Sequence, residues 1–61
     1  MKLKYIGDES GGLVHGKIYE CAIIPEDHYI NLICKEGVTF IGRVYISIEE
    51  FLKYWEEVSN V

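Results

Sequence analysis

Between Lys17 and Ile46 the chain holds three runs rich in β-branched and aromatic residues, separated by two short breaks, and this spacing leaves few ways to fold. The first break is Pro25-Glu26-Asp27-His28, where proline fixes φ and cannot donate to a strand ladder. The second is Glu36-Gly37, whose glycine is free to take positive φ. The spacing predicts consecutive strands over about 17–24, 29–35 and 38–46. Centring the first turn between Asp27 and His28 sets Glu20 opposite Lys35, Cys21 opposite Cys34 and Ile23 opposite Leu32. That register pairs opposite charges and keeps apolar side chains together. Gly42, inside the last run, marks a bulge or bend.

Upstream, Lys2 and Lys4 alternate with Leu3 and Tyr5, the period of a half-buried strand over about 2–7. Residues 8–16 collect turn formers, Asp8-Glu9-Ser10-Gly11-Gly12 and Gly16, and read as a long, flexible connection without a regular element. Downstream, Ser47 and Glu50 form a capping box, with Ile46 and Phe51 at the positions of a hydrophobic staple. A helix is therefore expected from Ile48 to about residue 58. Ile48, Phe51, Leu52, Trp55 and Val58 would form its apolar face, widened by Tyr54, opposite Glu49, Lys53, Glu56 and Glu57. About three turns are too short to stand alone, so that face must dock. Glu56 and Glu57 oppose the helix dipole at its C-terminal end, and no local reason for them is legible.

The strands carry apolar residues on both faces. Ile30, Leu32 and Cys34 alternate with Tyr29 and Ile33, while Val38, Phe40 and Val44 alternate with Ile41 and Tyr45. A curled sheet covered on its outside explains this better than a sheet facing water. The expected fold is one domain over 1–61, mainly β with one C-terminal α-helix, a small and partly open barrel of four to five strands. A domain of this size buries only about 60% of the surface of its unfolded chain, and 49% of this one is hydrophobic. Surplus apolar surface, hence a homodimer or another partner, follows. The residues expected at that interface are Tyr29, Ile33, Ile41, Tyr45, Tyr54 and Trp55, with Phe40 and Trp55 also expected to fill the core.

Ten acidic against six basic side chains give a net charge of −4. No basic cluster is present to neutralise a run of phosphates, which argues against a nucleic-acid partner. No run approaches the ~20 apolar residues of a membrane span, and Met1-Lys2-Leu3-Lys4-Tyr5 lacks the apolar core of a secretion signal, so a cytoplasmic protein without membrane contact is expected. Cys21 and Cys34 then read as reduced, buried thiols.

Catalytic chemistry finds little support. Cys21, Cys34, His15 and His28 are zinc-ligand types, but none lies in the close pairs that structural zinc sites use. Cys34 sits among apolar neighbours that raise a thiol pKa, and Ser10 and His15 share a loop expected to hold geometry poorly. Gly11-Gly12 lacks the following helix and lysine of a phosphate loop. A non-enzymatic protein without cofactor or metal is expected. Lys17, Lys35 and Arg43 are the candidates for binding phosphate, should the ligand be a small signalling nucleotide that the protein sequesters.

Lys4-Tyr5-Ile6-Gly7, the glycine-rich loop, Gly16-Lys17-Ile18-Tyr19-Glu20 and Glu36-Gly37 resemble short SH3-like barrel proteins of Gram-positive bacteria and their phages. The resemblance covers roughly the first forty-six residues and implies the fold more than an activity. The chain departs from eukaryotic SH3 domains in lacking the alanine-leucine-tyrosine-aspartate-tyrosine signature and the paired tryptophans of a proline-peptide groove, and in ending on a helix rather than a closing strand. In size, strand pattern and apolar surplus it also resembles small homodimeric phage anti-defence proteins such as the Hachiman inhibitor. These resemblances imply a phage- or prophage-encoded module that inhibits a host defence protein by binding it. The remaining alternative is an accessory interaction domain with a housekeeping partner.

Overall fold

A computed structural model describes residues 1–58. Five strands and one short helix follow in the order β1 (Lys2–Tyr5), β2 (Ile18–Pro25), β3 (Ile30–Glu36), β4 (Thr39–Tyr45), α1 (Ile48–Tyr54) and β5 (Trp55–Glu57). All strand pairs are antiparallel, in a single sheet of order β4-β3-β2-β1-β5. The molecule is thus mainly β, as its alternating apolar runs require.

The β2–β3 hairpin has the register expected from charge and apolar pairing, with Glu20 opposite Lys35, Cys21 opposite Cys34 and Ile23 opposite Leu32. Its turn closes through a 2.9 Å bond from the Glu26 N–H to the Tyr29 carbonyl. Gly37 takes φ +61° in the second turn, a conformation that side chains resist. β3 and β4 then pair without interruption from Glu36–Thr39 to Ile30–Tyr45. Gly42 lies in register opposite Ile33, so it makes no bulge.

The helix begins at Ile48 because Ser47 caps it, its hydroxyl accepting from the Glu50 N–H at 3.1 Å. Glu50 completes the box by reaching back to the Ile46 N–H, 2.9 Å away. Ile46 itself is exposed while Phe51 is buried, so the pair makes no staple.

The helix expected to run to residue 58 stops at Tyr54. Trp55 is extended, at φ −135° and ψ 145°, and starts β5, which pairs with β1 by setting Tyr5 opposite Trp55 and Lys4 opposite Glu56. The last element of the described residues is therefore a strand and not a helix. Exposed N–H and C=O groups along the second edge of β1 are satisfied this way, as by the 2.8 Å bond from the Ile6 N–H to the Tyr54 carbonyl. The pairing also supplies the missing reason for Glu56, which stands across from a lysine rather than at a helix end.

One face of the sheet holds the core: Leu3, Tyr5, Tyr19, Cys21, Leu32, Cys34, Tyr45 and Trp55 from the strands, joined by Phe51 from α1 and Leu13 from the long loop. Trp55 is 1% exposed. It packs against Tyr5 and Tyr19 with ring centroids 5.1 and 5.9 Å away, and its indole N–H donates to the buried Tyr45 hydroxyl at 2.8 Å.

The long loop is tied down more firmly than its composition implies. Ser10 and Leu13 form an isolated bridge. Arg43 donates to the Ser10 and Gly11 carbonyls at 2.9 and 3.1 Å, and the Tyr19 hydroxyl accepts from the Val14 N–H at 2.9 Å. Leu13 is the apolar plug that makes this closure favourable.

Candidate functional site, an apolar surface in two parts

The turns determine which side chains face outward. A two-residue turn places odd-numbered residues of one strand on the same face as even-numbered residues of the next. Away from the core, four cross-strand rows result. The first is Glu56–Lys4–Ile18, and the second is Lys2–Glu20–Lys35–Phe40. The third is Ala22–Ile33–Gly42, and the fourth Ile24–Asn31–Val44. The part of this outer face from Glu56 to Lys35 is a ladder of opposite charges, whereas Phe40 and the third and fourth rows form an apolar part interrupted only by Asn31. Phe40 there is 69% exposed and Val44 61%, with Ile24 and Ile33 also open to water.

A second apolar strip lies beyond β4. Ile46 precedes the cap, and Ile48 and Leu52 sit one turn apart on the outside of α1, all three exposed. Glu49, Glu50 and Lys53 share this helix. The helix's apolar face is expected to dock, on its own sheet or on a second subunit. In a helix of only seven residues, Phe51 alone is fully buried, because the chain leaves the helix before a third turn can cover the rest.

Of the expected interface residues, Tyr29, Ile33 and Tyr54 are exposed. Trp55 and Tyr45, at 1% and 7% exposure, are core residues sealed by the chain itself and cannot present a surface. Ile41 packs against the core. Ile41 and Tyr45 point inward because their partners, Cys34 and Ile30, do so, and Ile33 therefore lies on the opposite face from them. Phe40, expected in the core, is on the outer face for the same reason. Turn parity was the available signal, and it would have grouped Ile33 with Phe40, Val44 and Ile24.

The three candidate phosphate ligands do not converge. Lys17 is paired with Glu36 at 2.8 Å, Arg43 is spent on the loop carbonyls and on its neighbour Gly42, and Lys35 stands on the outer face beside Glu20. Cys21 and Cys34 face each other across the hairpin, both buried. Burial pushes the Cys34 thiol up to about 12, with the hydrogen bond to Cys21 adding to it, and burial raises Cys21 as well. Such thiols are poor nucleophiles at neutral pH. His15 is held by the loop, its Nδ1 3.0 Å from the Gly7 carbonyl. Among the described residues no three of the His, Cys, Asp and Glu side chains gather where they could hold a metal ion. Among the described residues no helix is long and apolar enough to cross a membrane.

No protein-family model, curated protein or solved structure matches the chain.

Proposed function

We propose that the protein is a non-catalytic binding module of SH3-like build, a small and partly open barrel that acts in the cytoplasm by occupying the surface of another protein. The sheet order places β1 between β2 and β5, the neighbours a small rolled sheet would give it, and leaves β4 and β5 as the two open edges. Its sequence resemblance to short phage proteins points to a phage- or prophage-encoded inhibitor whose target is a host defence protein.

The observation that carries the binding role is the strip Ile46, Ile48 and Leu52. Three large aliphatic side chains are left in water along a helix that buries Phe51 alone and lays Tyr54 against Tyr45. Exposed apolar area of this kind, rimmed by carboxylates, fits a partner with an apolar groove and a basic rim.

The test is capture from a bacterial host lysate with the immobilised full chain, comparing wild type with Leu52→Lys. Both side chains are in water, so folding is untouched, and unchanged far-UV circular dichroism checks this. A host protein retained by wild type and at least tenfold depleted with the variant is the expected result. Identical capture profiles for the two proteins overturn the reading.

A further inference from the structure

The outer face of the sheet raises a separate question, since the strip on α1 leaves it bare. We infer that the apolar half of this face, formed by Ile24, Ile33, Phe40 and Val44, is where a second copy of the chain docks, so that two sheets stack back to back about a two-fold axis. The inference rests on the same reading of exposed apolar surface as a place for a partner, and it commits the sheet face to self-association while the helix strip is left for the foreign protein.

Charge separates the two surfaces. The whole chain carries −4, so most ways of bringing two copies together oppose like charges. The outer face is the exception: its ladder contains Lys2, Lys4 and Lys35 against Glu20 and Glu56, a slight positive excess with both signs interleaved. A two-fold axis through Ile33 and Gly42 apposes this ladder to the other copy without concentrating the acidic residues. Of those, Asp8, Glu9, Asp27, Glu36, Glu49, Glu50 and Glu57 lie off the face, and Glu26 stands at its rim, two residues beyond Ile24. The helix strip lacks this property, because apposing two copies there brings Glu49 and Glu50 against their own images.

Area and shape agree. Phe40 and Val44 are mostly in water, and with Ile24 and Ile33 they offer roughly 400 Å² of apolar surface, in the range of the largest patch on a typical monomer. Adding the flanking ladder brings the contact to on the order of 600 Å² per copy, the lower end of specific interfaces and consistent with a dimer that dissociates in the micromolar range. Gly42 and Ala22, with almost no side chain, leave the middle of the patch flat between larger neighbours, which lets a facing Ile33 approach.

The free edge of β4 is a poorer place for the same partner. Arg43 folds back so that its guanidinium donates to the Gly42 carbonyl at 2.8 Å, covering an acceptor that an added strand would need.

Sedimentation equilibrium of the full chain tests the inference. Wild type is expected to pass from monomer to dimer across roughly 1 to 300 µM. Added salt should strengthen the dimer, since it screens the net negative charge of each copy and leaves apolar burial intact. The double substitution Phe40→Lys and Val44→Lys should weaken association at least tenfold, and Leu52→Lys should leave it unchanged. A wild-type monomer at 300 µM overturns the inference, as does a double variant that dimerises like wild type. A monomer that still captures a Leu52-dependent host protein removes the dimer alone. A patch-dependent dimer with no such host protein supports the dimer and removes only the binding role.

Discussion

At the scale of single residues, the hydrogen bond from Trp55 to Tyr45 illustrates how a core this small is made specific. An indole N–H has one proton to donate and is costly to bury without an acceptor. The Tyr45 hydroxyl, 2.8 Å away, supplies it. Tyr45→Phe keeps the ring and removes the acceptor, so it should destabilise the fold by about 1–3 kcal/mol. Urea denaturation followed by fluorescence checks this directly, because Trp55 is the only tryptophan.

The cysteine pair gives a second prediction at the same scale. An unfolded cysteine titrates near its ordinary value of 9.0, whereas burial holds native Cys34 protonated to about 12. The unfolded state therefore releases its proton first as pH rises, and stability falls from about pH 9 upward, with the full contribution present below that. Melting temperatures between pH 8 and 10.5 should decline for wild type and decline less steeply for Cys34→Ala. Equal slopes would show that other groups, such as the buried tyrosines, set the alkaline limit. Which residues sit in the core was partly legible from the sequence, as Leu3, Tyr5 and Trp55 show. Leu13 was not, because a lone leucine among glycines has no period to betray it.

At the scale of elements, capping and turn chemistry carried most of the information. Ser47 and Glu50 fixed the first residue of α1, because a cap acts through its own backbone and needs no distant partner. Ser47→Ala should cost about 1 kcal/mol by chemical denaturation. Where α1 ends is decided elsewhere. Trp55 and Glu56 continue a helical pattern in sequence, yet β1 offers a vacant edge and the core a seat for the indole, and these tertiary contacts outweigh local propensity. Glu56→Pro should expose this competition. Replacing the residue opposite Lys4 by one without an N–H removes part of the β1–β5 ladder, and the variant should lose at least 2 kcal/mol or fail to fold. A stability within 0.5 kcal/mol of wild type would show that β5 contributes little. The β2–β3 register was readable because charge and apolar pairing agreed on one alignment. The facing of β4 was readable only through the parity of the turn at Gly37, which composition does not convey.

At the scale of the whole molecule, the described residues enclose ten well-buried apolar side chains on one side of a single sheet and leave the other side half charged and half apolar. The surplus foreseen from size and composition is real, but it sits at Phe40, Val44, Ile24 and the α1 strip rather than at Tyr45 and Trp55. Small size also makes every kilocalorie count, so a weak dimer that covers part of the surplus should raise the melting temperature with protein concentration. Scanning calorimetry at 10 and 300 µM is expected to show a rise of several degrees, and coincident transitions would argue that association adds nothing to stability.

The position of β1 between β2 and β5 imposes an order in time. Its first neighbour is made soon after it, but its second is drawn from residues 55–57, so the clasp of the sheet is synthesised after the other four strands. Until then the hairpins of the middle strands can form while the seat of the indole stays empty. The nascent chain therefore waits as an unfinished sheet until residues 55–57 are made, and only then completes its hydrophobic interior.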